Sequence, residues 1–153
     1  MAIEIERKFL VANDGWRALR VFSLHIRDGL IATDGGKKVR VRINGDRATI
    51  AIKGSRNGLI RAEFEYEIPL VDANELLGNY CQGRIIEKTR HIVDSGGFRW
   101  EIDEYSGELT GIIVAEIELP ATNTEFSRPD WLGVEVTGDE RYRKGNLHKM
   151  TTR

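Results

Sequence analysis

The chain has 153 residues, a net charge of −1 and 31 % charged residues. That length supports one domain with a sizeable core, and the balanced charge excludes the basic excess that general nucleic-acid or membrane-surface binding needs. The single cysteine, Cys81, rules out an internal disulfide and points to a reducing compartment.

No apolar run approaches the roughly 20 residues of a membrane helix, and the N-terminus is acidic at once, unlike a signal peptide. The expectation is a cytoplasmic protein with one domain over residues 1–153 and neither a nucleic-acid nor a membrane partner.

The first strand runs Ile3 to Leu10, with Glu4, Glu6 and Lys8 on one face and Ile3, Ile5 and Phe9 on the other. Asp14 is expected to cap a short helix through Trp16, Leu19 and Val21. Phe22 to Ile31 alternates poorly but reads as a strand with Gly29 inside it. Asp34-Gly35-Gly36 signals a turn before a strand over Lys37 to Ile43. Asn44-Gly45 reads as the hairpin dipeptide to a partner strand, Arg47 to Lys53. After a loop over Gly54 to Gly58 comes a strand from Leu59 to Pro69. Asp72 to Glu75 matches a capping box, followed at helical spacing by Ala73, Leu76, Leu77 and Tyr80, with Cys81 expected as a small buried residue on that helix. Strands then cover Arg84 to Val93, Phe98 to Asp103 and Thr110 to Leu119. Thr122 to Trp131 reads as a short helix halted by Pro129, Gly133 to Thr137 as a last strand, and Arg141 to Met150 as a C-terminal helix. About eight strands joined mostly as hairpins point to a mainly β, α+β fold, an antiparallel barrel or strongly curved sheet with short helices outside.

Charges of one sign recur on single strand faces: Lys38, Arg40 and Arg42; Glu63, Glu65 and Glu67; Lys88 and Arg90; Glu101 and Asp103; Glu116 and Glu118. Lys53 shares a face with Thr49 and Ala51. Taken singly, each set is an ordinary solvated face. Together they are not, because residues two apart sit roughly 6.5–7 Å from each other, where like charges repel by about 2–3 kcal/mol at an effective dielectric of 20. A solvent face would intersperse the signs. With bulky apolar groups opposite, the charged faces are expected to point inward around a polar lumen. Clustered carboxylates suit hard divalent cations such as Mg²⁺ or Mn²⁺, and Arg/Lys clusters suit phosphate oxygens. A metal-bound polyphosphate satisfies both. There is no phosphate-binding Gly-Lys-Ser/Thr loop and no nucleophile beside an obvious base. His25, His91 and His148 lie far apart, and His91 is expected on the outer face in a structural role.

In their order, these segments resemble the triphosphate tunnel metalloenzymes, the CYTH superfamily. Glu4-Ile5-Glu6-Arg7-Lys8 resembles the Glu-x-Glu-x-Lys signature, and Val39-Arg40-Val41-Arg42 the paired-arginine strand. Thr49 to Lys53 resembles the lysine strand, and Arg61-Ala62-Glu63-Phe64-Glu65 the Arg-x-Glu-aromatic-Glu strand. Glu87-Lys88-Thr89-Arg90 is similar to the Lys-x-Arg strand, while Glu101-Ile102-Asp103 and Glu116-Ile117-Glu118 are similar to the last acidic strands. Glu135-Val136-Thr137 with Tyr142 resembles the C-terminal segment. The resemblance spans essentially the whole chain and implies an eight-stranded antiparallel tunnel. It implies metal binding by Glu4, Glu6, Glu63, Glu65, Asp103, Glu116 and Glu118, with Mg²⁺ or Mn²⁺ as cofactor. It implies phosphate binding by Lys8, Arg40, Arg42, Lys53, Lys88 and Arg90. Lys88 is a candidate for helping the leaving group, and one metal carboxylate, with Glu65 the choice carried here, for orienting the attacking water. Leu30 stands where short members often carry an aromatic after glycine.

The activity so implied is metal-dependent hydrolysis of inorganic triphosphate to pyrophosphate and phosphate. The alternatives are a nucleoside or thiamine triphosphatase, an adenylate cyclase of the same superfamily, and a non-catalytic polyphosphate-binding module. If the outer apolar faces exceed what short helices can cover, a homodimer is the assembly to expect.

Overall fold

The computed structural model describes residues 3–143 and 146–147. The described residues form nine strands: β1 (Ile3–Val11), β2 (Arg20–Asp34), β3 (Lys37–Asn44), β4 (Arg47–Lys53), β5 (Ile60–Ile68), β6 (Gln82–Ser95), β7 (Phe98–Tyr105), β8 (Ile113–Glu118) and β9 (Leu132–Glu135). Eight of them close an antiparallel barrel in the order β5-β4-β3-β2-β6-β7-β8-β1, sealed by pairing of β1 with β5. β9 lies outside the ring on β1, pairing Phe9 with Glu135 and Val11 with Leu132. One edge of β1 is therefore shared, with Ile3–Ile5 on β5 and the later residues on β9, while Glu6–Leu10 pair with β8 on the other edge.

The hairpins explain why neighbours in sequence are neighbours in the ring. Gly35 and Gly36, at φ 57° and 83°, form a two-residue loop in which both central residues take the left-handed backbone of a type I′ turn. The next loop differs by one residue from the sequence expectation. Asn44 pairs with Arg47, so Gly45 and Asp46 are the loop. Gly45 alone has positive φ, which is the glycine-first pattern of a type II′ turn.

The apolar strand faces turn outward, and those of β1, β6, β7 and β8 are covered there. Phe9, Trp100, Ile102 and Ile117 pack with Trp16 and Trp131, and Phe126 lies edge-on to Phe9 and Trp100 at 6.0 and 5.7 Å. The covering segment around Phe126 is irregular, where a helix over Thr122–Trp131 was expected. Its Thr, Asn and Ser residues prefer local hydrogen bonds to helix, and Thr124 accepts from the Ala121 amide. The helix expected after Asp14 is only a 3-10 turn over Gly15–Leu19 without a side-chain cap, since the long β2 already begins at Arg20, which pairs with Val93. Only the turn Glu140–Tyr142 of the expected C-terminal helix is seen, and the rest, with His148, lies largely outside the described residues. The last strand ends at Glu135, not Thr137.

The one α-helix among the described residues, α1 (Leu70–Asn79), packs Ala73 and Leu77 on Val41, Ile43 and Ala48 of β3 and β4. Pro69 precedes its first residue, so Asp72 sits in the first turn, where it complements the helix dipole rather than capping. Cys81 falls just beyond the helix and is half-buried against the same cluster. Gly29 of β2 is needed here, because a Cβ would meet Cys81 Sγ at 2.6 Å, Leu77 Cδ2 at 2.7 Å and Ile85 Cδ1 at 3.0 Å. Gly29→Ala is expected to lower stability by about 1–3 kcal/mol through overpacking, read as an earlier thermal transition. An unchanged transition would show that the helix shifts freely. The helix leaves an apolar row on β4 and β5 uncovered, with Ile52, Phe64 and Tyr66 exposed. That is the kind of surface on which the homodimer expectation rests.

Candidate active site inside the barrel

The inward faces carry the charges, as the alternation predicts. A cavity of about 300 Å³ is lined by Glu6 and Lys8 of β1, Lys38 and Arg40 of β3, Lys53 of β4, Arg61 of β5 and Glu116 of β8. Gly35–Gly36, Ser55–Arg56, residues 136–139 and Arg143 surround it. Lys8 reaches Glu116 at 3.9 Å, and Lys53 reaches Glu63 at 3.1 Å and Glu4 at 3.8 Å. Arg40 reaches Glu65 at 3.0 Å.

A second group of charges forms part of the barrel wall. Arg90 grips Asp103 with two hydrogen bonds of 2.8 and 2.9 Å, and Lys88 lies 2.7 Å from the same carboxylate. Asp28 continues the network, accepting 2.6 and 2.9 Å bonds from Arg42 and lying 3.7 Å from Lys88. Lys88 and Asp103 are 0 % exposed, so neither meets the cavity directly. Burial alone would raise the Asp103 carboxyl, but Lys88 and Arg90 hold it well below the usual carboxylate range. Burial lowers the Lys88 ammonium, and Arg90 and Arg42 push the same way against Asp103 and Asp28. Lys88 also sits 5.5 Å from the Tyr105 ring.

The carboxylates crowd one another. Burial raises Glu6 well above its usual range, and the charges of Glu116 and Glu4 add to this, with Glu6 hydrogen-bonded to Glu116. For Glu116 burial is outweighed by Lys8 and Arg90, so it stays the ionised partner, far below the usual range. Burial raises Glu118, as do the charges of Glu4, Glu101 and Glu63. Glu101, though bonded to Arg90 at 3.2 Å, is also raised by burial. Glu4 Oε1 is buried without a hydrogen-bond donor. An all-oxygen set of mutually repelling carboxylates with an unsatisfied buried oxygen fits a hard divalent cation. Among the described residues no three acidic, His or Cys groups already converge as a ready-made metal cluster.

The predicted residues thus divide into three. Lys8, Arg40, Lys53, Glu6 and Glu116 line the cavity; Glu4 and Glu63 stand directly behind Lys53. Arg42, Lys88, Arg90 and Asp103 belong to the wall, where both Asp103 oxygens are engaged by cations. Glu65 and Glu118 are the more exposed of the set. Sequence reading missed Asp28, 3 % exposed and bound to Arg42. It also missed Arg56, which pairs with Glu4 at 3.8 Å and Glu6 at 4.0 Å. Nor does the sequence pattern give a role to Arg61. It donates to the carbonyls of Gly54 and Gly36 and so ties two loops at the cavity rim. His91 is structural as expected, bonded to Ser23 and Glu104 and packed on Trp16.

Known proteins show the same architecture. The family model described as CYTH domain matches residues 2–152. An inorganic triphosphatase of Acetivibrio thermocellus is 47 % identical over 149 residues, covering 97 % of this chain and 95 % of that protein. An inorganic triphosphatase of Nitrosomonas europaea is 35 % identical over 153 residues, covering 94 % and 95 %. The crystal structure of an inorganic triphosphatase superposes with a TM-score of 0.67 at 30 % identity, covering 97 % of this chain and 95 % of its own.

Proposed function

The chain belongs to the CYTH domain family, and from that premise we propose that it hydrolyses inorganic triphosphate to pyrophosphate and phosphate inside its barrel. The observation that carries this reading is the cavity in which Lys8, Arg40 and Lys53 face Glu6 and Glu116. Its cations match the oxygens of a linear triphosphate, and its carboxylates would repel that ligand unless a cation stood between them.

Lys8, Arg40 and Lys53 bind the phosphates. Arg42, Lys88 and Arg90 form the wall behind them, held there by Asp28, Asp103 and Glu101. Because Lys88 has no exposed surface, its part is to hold Asp103 and Asp28 in place. Glu4, Glu6, Glu63, Glu116 and Glu118 are the groups we assign to holding Mg²⁺ or Mn²⁺. Bound there, the ion supplies charge neutralisation and polarisation of phosphoryl oxygens. Glu65, anchored by Arg40 at 3.0 Å, is the carboxylate we assign to orienting the water.

The test is a panel of triphosphate, pyrophosphate, ATP and thiamine triphosphate with Mg²⁺ and then Mn²⁺. The expected result is phosphate and pyrophosphate released in equal amounts from triphosphate, and none after chelation. No release above the metal-free control overturns the reading. Cyclic AMP from ATP would instead support a cyclase.

A further inference from the structure

We propose that Lys38 is a further phosphate-binding residue of the barrel, positioned so that a bound polyphosphate supplies the counter-charge the fold withholds from it. The inference rests on the triphosphatase reading and adds to it a residue at the Gly35–Gly36 rim.

The register of the sheet sets Lys38 directly opposite Lys53, a like-charge cross-strand pair that costs stability unless something neutralises it. Lys38 shares the inward face with Arg40 and lines the same cavity. Four cations surround it: Arg61 from β5, Lys53 from β4, Lys8 from β1 and Arg143 from the C-terminal segment. Its partner across on β2 is the neutral Thr33.

Each of those four cations has a partner of its own. Lys53 has Glu63 and Glu4, Lys8 has Glu116, Arg143 has Glu140, and Arg61 donates to two backbone carbonyls. Lys38 has no carboxylate within 4 Å among the described residues, although Glu6, Glu116 and Asp139 line the same cavity. Burial and the four neighbouring cations accordingly lower its ammonium to about 8. A half-buried cation held among cations is an unfavourable arrangement for the empty fold. It becomes favourable once an oxyanion enters, since each phosphate oxygen placed there is attracted by several charges at once. Lys38 is also where pH can act on binding. Its proton is lost as pH rises through about 8, and a bound phosphate, by favouring the charged form, draws a proton back.

The experiment compares wild type, Lys38→Met and Lys38→Arg in hydrolysis of triphosphate and in calorimetric binding of triphosphate without metal. The Met variant is expected to raise KM roughly 10-fold or more while kcat changes much less, the signature of lost ground-state binding. Its thermal transition should stay equal or move up, because a half-buried charge held among like charges is gone. Calorimetry of wild type at pH 8.5 in two buffers of different ionisation enthalpy should show proton uptake beyond that of the Arg variant. That difference removes the titration of triphosphate itself from the comparison. The Arg variant keeps its charge at all these pH values and should hold KM flat from pH 7.5 to 9, apart from what the substrate contributes. If wild type hydrolyses triphosphate yet Lys38→Met leaves KM and proton uptake unchanged, the Lys38 role is overturned and the triphosphatase reading stands. If wild type does not hydrolyse triphosphate, the reading fails instead. Binding that still weakens in Lys38→Met would then support the residue's role alone.

Discussion

Replacing Glu4 and Glu6 together by alanine is expected to lower triphosphate turnover at least about 100-fold while metal-free triphosphate binding persists. The two carboxylates have different surroundings, and both point to the same outcome. Glu4 Oε1 is buried without a hydrogen-bond donor, and burial together with the charges of Glu116 and Glu4 raises the Glu6 carboxyl well above its usual range. Neither arrangement satisfies a carboxylate, and both are relieved by a divalent cation. Removing the pair deletes two of the proposed oxygen donors and frees the cations now drawn to them. Lys53 lies 3.8 Å from Glu4, and Arg56 lies 3.8 Å from Glu4 and 4.0 Å from Glu6. With those cations released, the affinity for an anion alone should rise or hold. The fold should survive as well, since a carboxyl raised by burial costs stability whenever the pH is high enough to ionise it. Phosphate release, calorimetry with triphosphate and Mn²⁺ binding by paramagnetic resonance would read the three effects separately. Turnover within a few-fold of wild type would remove Glu4 and Glu6 from the metal site.

Much of this was legible because a strand writes its two faces into alternate residues. The barrel faces of β1, β3, β5 and β8 follow directly from Glu4-Glu6-Lys8, Lys38-Arg40-Arg42, Glu63-Glu65 and Glu116-Glu118. Asp28 was not legible for the complementary reason. Its strand has register shifts between Arg20 and Phe22, between Asp28 and Leu30 and between Leu30 and Ala32, so alternation cannot be carried through it. The available signal was indirect: a buried Arg42 needs an anion, and its neighbour β2 offered one. Arg56 was hidden in a loop, where no periodicity exists to aim a side chain. The segment before Trp131 failed as a helix because its ordering comes from Phe126 entering the Phe9–Trp100 cluster, a tertiary contact with no local pattern. The sealed position of Lys88 was also beyond alternation, which tells inward from outward but not how deep in the wall a side chain lies.

That depth decides the second large effect. Asp103→Ala is expected to cost about 3–5 kcal/mol of stability, because it leaves Lys88 and Arg90 buried without their shared carboxylate. At about 2–4 °C per kcal/mol for a chain of this size, the thermal transition should drop by roughly 6–20 °C. The pH dependence should separate this from a simple cavity. Asp103 titrates far below its unfolded value, so its contribution is full above about pH 4 and is lost as the pH falls below that. The wild-type stability curve should therefore slope downward on the acid side, and the variant's should be flatter there. Lys88 works in the opposite direction. Burial lowers its ammonium, so carrying its charge at neutral pH costs stability, and Asp103 and Asp28 limit that cost. Lys88→Met in the Asp103→Ala background should consequently recover part of the loss, whereas two independent cavities would add. Additive losses, with no difference in acid slope, would show that this network is held by packing and not by charge.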